Sequence, residues 1–291
     1  MIEKKFAIAG GDLRNIKLAG MLEKEGYEVF TFGLAGGAMG EKIVKCNEAK
    51  EAIGQCDIVI GPVPFSYDGK TLNAPFHSCP IPLEDIWDSA TGKWLIAGVI
   101  SKEVEDIANV KKIKVFDLME REDMAILNAI PTAEGAVQIA LEEMPITLHG
   151  CRVLVTGYGH VGRVVANKLN SLGAKVTVAV RKSRDNAWLE TETIGHIEYG
   201  KLPERMEKYD LVINTVPAQV IGKKILEKVR NDTLIIDLAS KPGGVDFDFA
   251  ASNKIKVIHA LSLPGKVAPV TAAGNMQKVI FNIIREADEN V

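Results

Sequence analysis

Short apolar runs alternate with helical patterns along the whole chain, and the series starts twice. In the first half the runs are Phe6–Gly10, Val29–Phe32, Asp57–Gly61, Trp94–Val99 and Lys114–Phe116, with helical spacing at Leu13–Glu25, Ala49–Gly54 and Ser101–Val110 between them. In the second half they are Arg152–Thr156, Lys175–Val180, Leu211–Asn214, Leu234–Asp237 and Lys256–Ala260, separated by helical patterns such as Val161–Leu172 and Gly222–Val229. Apolar runs this short suit strands buried on both faces, and strands joined by helices run parallel. The repeated βα units predict an α/β fold of two doubly wound parallel-sheet, Rossmann-like domains. A length of 291 residues agrees with two domains.

The boundary is read from Pro131-Thr132-Ala133-Glu134, which predicts a helix start. Thr132 would be the N-cap, and Glu134 would add negative charge in the first turn. The first domain then covers 1–130, joined by a C-terminal helix within 271–291, and the second covers 131–270. A chain that crosses twice predicts a hinge and an interdomain cleft. The tail Glu286–Val291 is expected to fray.

Composition narrows the function. A net charge of −3 gives no strong field for nucleic acid or an anionic membrane. No apolar run approaches the ~20 residues of a bilayer span, and no secretory leader precedes the first strand. The cysteines Cys46, Cys56, Cys79 and Cys151 form no CxxC pair and have no metal-like spacing to a histidine. Reduced thiols, a cytoplasmic location and no metal site are the expectation.

The loop Gly157-Tyr158-Gly159-His160-Val161-Gly162 follows Val153-Leu154-Val155 and opens a helix. In that context GxGxxG predicts dinucleotide binding. Gly157 permits the turn, Gly159 lets the backbone approach a pyrophosphate, and Gly162 lets the helix lie close to the sheet. The helix N-terminus adds N–H groups and dipole. At the end of the next strand, where NAD enzymes usually place an acid, the chain reads Arg181-Lys182-Ser183-Arg184. A guanidinium pairs well with a 2′-phosphate, so NADP(H) is the expected cofactor. Gly10-Gly11-Asp12 also follows a strand but lacks the later glycines, and reads as a turn.

Several segments carry a resemblance. They are Ala9-Gly10-Gly11-Asp12-Leu13-Arg14, Val44-Lys45-Cys46-Asn47, the stretches 120–126 and 128–135, Ile213-Asn214-Thr215-Val216-Pro217, the stretch from Asp237 to Phe247, and Leu263-Pro264-Gly265-Lys266-Val267-Ala268-Pro269. Over nearly its whole length the chain resembles the dipicolinate synthase A-subunit family of bacterial spore-formers. It departs from that pattern at Lys241, where arginine is common, and at Lys266, where an apolar residue is usual.

The resemblance implies NADP-linked oxidation of dihydrodipicolinate, or its hydrated tetrahydro precursor, to dipicolinate. The reaction would be made with a flavoprotein-like B subunit, in the mother cell of a sporulating bacterium, by an oligomeric chain. Aromatisation removes a hydride and a proton from adjacent ring atoms, and the two substrate carboxylates need cations or N–H groups. Loops at the carboxyl ends of the second-domain strands, with Asn214, Thr215, Val216, Pro217 and Ala239, should face the nicotinamide. Lys241 is the first candidate for a substrate carboxylate. Arg14 and Arg121 are candidates from the first domain, with ion pairs to Asp12, Glu120 or Glu122 as the alternative. Glu134 is a candidate base, with helix capping as the alternative. None of the five histidines sits in the loop after the last strand, which argues against simple 2-hydroxy-acid oxidation. Two other readings stand beside this one: a generic NADP-dependent dehydrogenase of 2-hydroxy-acid or alanine-dehydrogenase architecture, and a non-catalytic nucleotide sensor.

Overall fold

The computed structural model describes residues 4–34, 40 and 42–289. The chain divides into two compact units, Met1–Ala125 with Ala268–Val291, and Ile126–Val267.

The first unit contains strands β1 (Phe6–Ala9), β2 (Val29–Phe32), β3 (Ile43–Lys45), β4 (Ile58–Ile60), β5 (Trp94–Ala97) and β6 (Lys114–Asp117). All pairings are parallel, in the order β3-β2-β1-β4-β5-β6. Helices α1 (Leu13–Lys24), α2 (Ala49–Gly54), α3 (Leu83–Ala90) and α4 (Lys102–Val110) connect them. Strands β1, β2 and β4 are buried along their full length, which is why their sequences are apolar throughout except for Thr31.

Helix α5 (Glu122–Glu143) corrects the helix start read at Pro131. No helix starts there: α5 passes straight through the proline, and Thr132 is not a cap. Its hydroxyl donates instead to the Asn128 carbonyl one turn back, at 2.7 Å. Proline removes one helical N–H and usually breaks a helix. Here Ala129, Ala133, Ala136 and Ala140 form a fully buried stripe, the last three in the core of the second unit, and that packing carries the helix on. By length and composition alone α5 could cross a membrane. The buried alanine stripe is that of a core helix.

The second unit contains β7 (Arg152–Thr156), β8 (Lys175–Val180), β9 (Gly195–Glu198), β10 (Leu211–Asn214), β11 (Leu234–Asp237) and β12 (Val257–His259). These are again all parallel, in the order β12-β11-β10-β7-β8-β9. Helices α6 (His160–Ser171), α7 (Ser183–Thr191), α8 (Lys223–Leu226), α9 (Phe247–Ser252) and α10 (Leu263–Val267) belong to it. Both sheets thus have the doubly wound order in which the chain reverses direction beside the first strand. Helix α11 (Pro269–Glu289) belongs to the first unit and packs along α1. The tail expected to fray is helical through Glu289, and Asn290 and Val291 lie outside the described residues.

Candidate functional site

Strand β7 ends in the glycine loop. Gly157 has φ +91°, a left-handed conformation that favours glycine. A Cβ on Gly162 would stand 2.3 Å from the Gly157 carbonyl oxygen, so only glycine lets α6 lie this close to the strand. Around a Cβ on Gly159 there is open space, with nothing within 4 Å. Gly159 is the N-cap of α6, has no side chain to cap it, and is followed by a first turn without acid. Amides, dipole and clearance therefore fit a pyrophosphate. The His160 ring is exposed at the helix start, while Val161 is half-buried against the core.

Tyr158 is buried under the loop, and its hydroxyl donates to Glu192 at 2.6 Å. The Arg163 guanidinium stacks over the Tyr158 ring at 4.9 Å and the Trp188 ring at 5.6 Å. These contacts tie the loop to α7. Sequence reasoning missed Glu192, which sits thirty-four residues from its partner.

Arg181 and Lys182 are exposed at the end of β8, and no carboxylate among the described residues is within ion-pair distance of either. Ser183 opens α7, and Arg184 sits in its first turn with Asp185 at 3.6 Å. Tyr199, also unforeseen, is half-buried beside Arg181 and the Gly157 amide. Burial pushes its phenol up against their pull.

The carboxyl ends of β7, β10 and β11 are joined by a buried polar network. Thr156 donates to the Asn214 amide oxygen. The Asn214 nitrogen donates to Asp237 at 2.7 Å and to the Val216 carbonyl at 3.0 Å. The Thr215 hydroxyl donates to the Thr156 carbonyl at 2.8 Å. The Asp237 carboxylate, 0% exposed, also accepts from the amides of Ala239 at 3.0 Å and Gly244 at 2.7 Å. A Cβ on Gly243 would meet Asp237 at 2.7 Å, and one on Gly244 would meet Asn214 at 2.3 Å. The glycine pair in Lys241-Pro242-Gly243-Gly244 is thus imposed by the network beneath it. Lys241 and Pro217 are exposed on the two loops that the network shapes. The Ala239 carbonyl faces His259 Nε2 at 2.9 Å.

The two candidate arginines and the candidate base each have partners of their own. Arg14 is 7% exposed, chelated by Asp12 at 2.8–3.1 Å, and also donates to the Val63 carbonyl. Arg121 is held by Asp123 and, through two nitrogens, by Glu286. Its guanidinium holds the Asp123 carboxyl down at about 2. The ion-pair alternative holds for Arg14 with Asp12, while Arg121 takes Asp123 and Glu286 in place of the expected Glu120 or Glu122. Glu134 is an exposed partner of Lys168 at 3.0 Å.

The Gly10-Gly11 turn is closed by its own chain. The Gly10 amide donates to Phe32 and that of Gly11 to Asn73, with Leu72 packed over Gly10. Asp12 caps α1 with a negative charge where a phosphate would sit. Burial pushes the Cys56 thiol up to about 12 and that of Cys151 to about 11, so neither is a thiolate nucleophile near neutral pH.

Two family models match. One describes the N-terminal domain of the dipicolinate synthase A subunit, over residues 5–119. The other describes the NAD binding domain of D-isomer specific 2-hydroxyacid dehydrogenases, over residues 101–243. The glycine loop and its surroundings are therefore those of a dehydrogenase-type domain for a nicotinamide dinucleotide. The dipicolinate synthase A subunit of Bacillus subtilis (strain 168) is 33% identical over 97% of this chain and 96% of its own. Among solved structures, the A subunit of the Bacillus halodurans synthase superposes with a TM-score of 0.90 at 30% identity, covering 96% of this chain and 97% of the other. The dipicolinate synthase A chain of Bacillus subtilis superposes at 0.89 and 31% identity, covering 100% and 99%. Similarity of that extent, along both units at once, means that the chain belongs to the dipicolinate synthase A-subunit family.

Proposed function

We propose that this chain, together with a B subunit, oxidises dihydrodipicolinate to dipicolinate in the cytoplasm with NADP as the acceptor, and that it works as a homo-oligomer. Family membership supports the substrate and the partner. The cofactor choice rests on one observation, the exposed Arg181-Lys182 turn at the end of β8 with no carboxylate among the described residues within ion-pair distance of either side chain. When bound, the nicotinamide supplies the hydride acceptor. The chain's part is to hold the pyrophosphate over Gly159 and α6, the 2′-phosphate at Arg181, and a substrate carboxylate at Lys241. Gain of aromaticity drives the step, so positioning is most of what the protein must provide. Water is a sufficient proton acceptor, and no side-chain base needs to be assigned.

Arg181→Ala should weaken NADP by about 1.5–3 kcal/mol, the scale of a charged hydrogen bond, and leave NAD nearly unchanged. Titration of both nucleotides decides it, and equal losses would remove the NADP assignment. With the B subunit, fresh dihydrodipicolinate and NADP, the appearance of pyridine dicarboxylate absorbance tests the reaction. In that assay Lys241→Met should lose about 2–3 kcal/mol in kcat/KM, roughly 30–150-fold. Lys241→Arg should keep most of the activity, because lysine acts as a point charge. Normal kcat/KM in the methionine variant would make Lys241 a solvated loop residue.

A further inference from the structure

A groove of about 520 Å³ lies in the second unit along the edge strand β9. Arg152, Lys175, Lys201, Arg205 and Lys208 line it, against Glu198 as the one carboxylate. This concentration of positive charge stands out in a chain whose net charge is −3. Arg152 is neutralised by Asp210 at 2.9 Å, and Lys201 reaches Glu198 only at 4.0 Å. Lys175, Arg205 and Lys208 are exposed, and no carboxylate among the described residues lies within ion-pair distance of them. Unpaired cations gathered in one concavity repel each other, and an anion relieves that repulsion. Thr177 and the buried Tyr209 line the groove as well.

We propose that this groove binds a small molecule carrying a chain of phosphates, at a site separate from the dinucleotide loop. The size suits a small ligand, since such pockets run to about 300–1,000 Å³. The charge suits a polyphosphate, because several cations must be answered by several anionic groups. Lys175 opens β8 and Arg181 follows its last residue. Six residues at about 3.3 Å each put roughly 20 Å between them. The unpaired end of the groove is therefore far from the cofactor's basic turn.

Calorimetric titration of the full chain with inorganic tripolyphosphate at low salt tests this, beside sodium sulfate at matched ionic strength. Saturable binding of one tripolyphosphate per chain is expected, not reproduced by sulfate. The variant Lys175→Gln/Arg205→Gln/Lys208→Gln should weaken it about tenfold or more, and Lys208→Gln alone by about threefold, at unchanged thermal unfolding and unchanged nucleotide affinity. Saturation with NADP or NAD should leave the tripolyphosphate isotherm in place. Binding that the triple variant retains, that the nucleotide displaces, or that sulfate matches would overturn the proposal. Tighter binding of an oligonucleotide than of tripolyphosphate would overturn it too, by moving the site to a nucleic-acid backbone.

Discussion

Gly159→Val is expected to abolish nucleotide binding and to cost at most about 1 kcal/mol of stability, the effect of a poorer N-cap. The backbone there has φ −79° and ψ −165°, an extended conformation that any residue adopts. A Cβ would meet nothing within 4 Å. The isopropyl group therefore has room in the protein, and takes that room from the pyrophosphate. Gly162→Val makes the contrast. Its Cβ would fall 2.3 Å from the Gly157 carbonyl oxygen and 2.9 Å from the carbonyl carbon, both backbone atoms that cannot swing away. Strand and helix must separate, at a cost of roughly 2–3 kcal/mol or more. Thermal unfolding and nucleotide titration of the two variants should show one folded protein without affinity and one destabilised protein. Wild-type affinity in Gly159→Val would reduce the loop to a turn.

What the chain reveals in advance follows where its free energy comes from. Strands β7, β8, β10 and β11 fall where their apolar runs begin and end, because buried parallel strands must be apolar on both faces. The edge strands β3 and β9 escape a reading of this kind: Ile43–Lys45 and Gly195–Glu198 are mostly exposed and too polar to stand out. Helix α3 escapes it too, although Leu83, Ile86, Trp87 and Ala90 carry its buried stripe at helical spacing just after Pro82. Gly222–Val229 shortens to the single turn Lys223–Leu226. The candidate site divides along a similar line. The glycine loop and the Arg181 turn are local features and legible as such. The Thr156–Asn214–Asp237 network joins residues 58 and 23 positions apart, and nothing local in any of the three foretells the others. Ion pairing of Arg14 with Asp12 is legible as one alternative, but the partners of Arg121 are not. The acid partners of the two arginines include near neighbours, Asp12 and Asp123, but only geometry shows that the pairs close.

Asp237→Leu is expected to destabilise the second unit by about 3–5 kcal/mol, the scale of breaking a buried charged network. The carboxylate is fully buried at the end of a central strand, and no cation among the described residues neutralises it. It is held by neutral donors, and charged hydrogen bonds of that kind contribute roughly 1.5–3 kcal/mol each. Leucine would leave the Ala239 and Gly244 amides buried without an acceptor, while Asn214 would still reach the Val216 carbonyl. Asp237→Asn separates charge from shape. Its oxygen can replace Oδ1, which serves Asn214 and Ala239, but its amino group would then face the Gly244 N–H donor to donor. A smaller loss of about 1.5–3 kcal/mol follows. Because Gly243 and Gly244 pack directly on this network, the loop carrying Lys241 should shift in both variants. Turnover should therefore fall further than nucleotide affinity, which depends on the glycine loop after β7. Denaturant unfolding with nucleotide titration and turnover measures all three quantities. Stability within about 1 kcal/mol of the parent in Asp237→Leu, a surface-like response, would show that the network does not hold the loop.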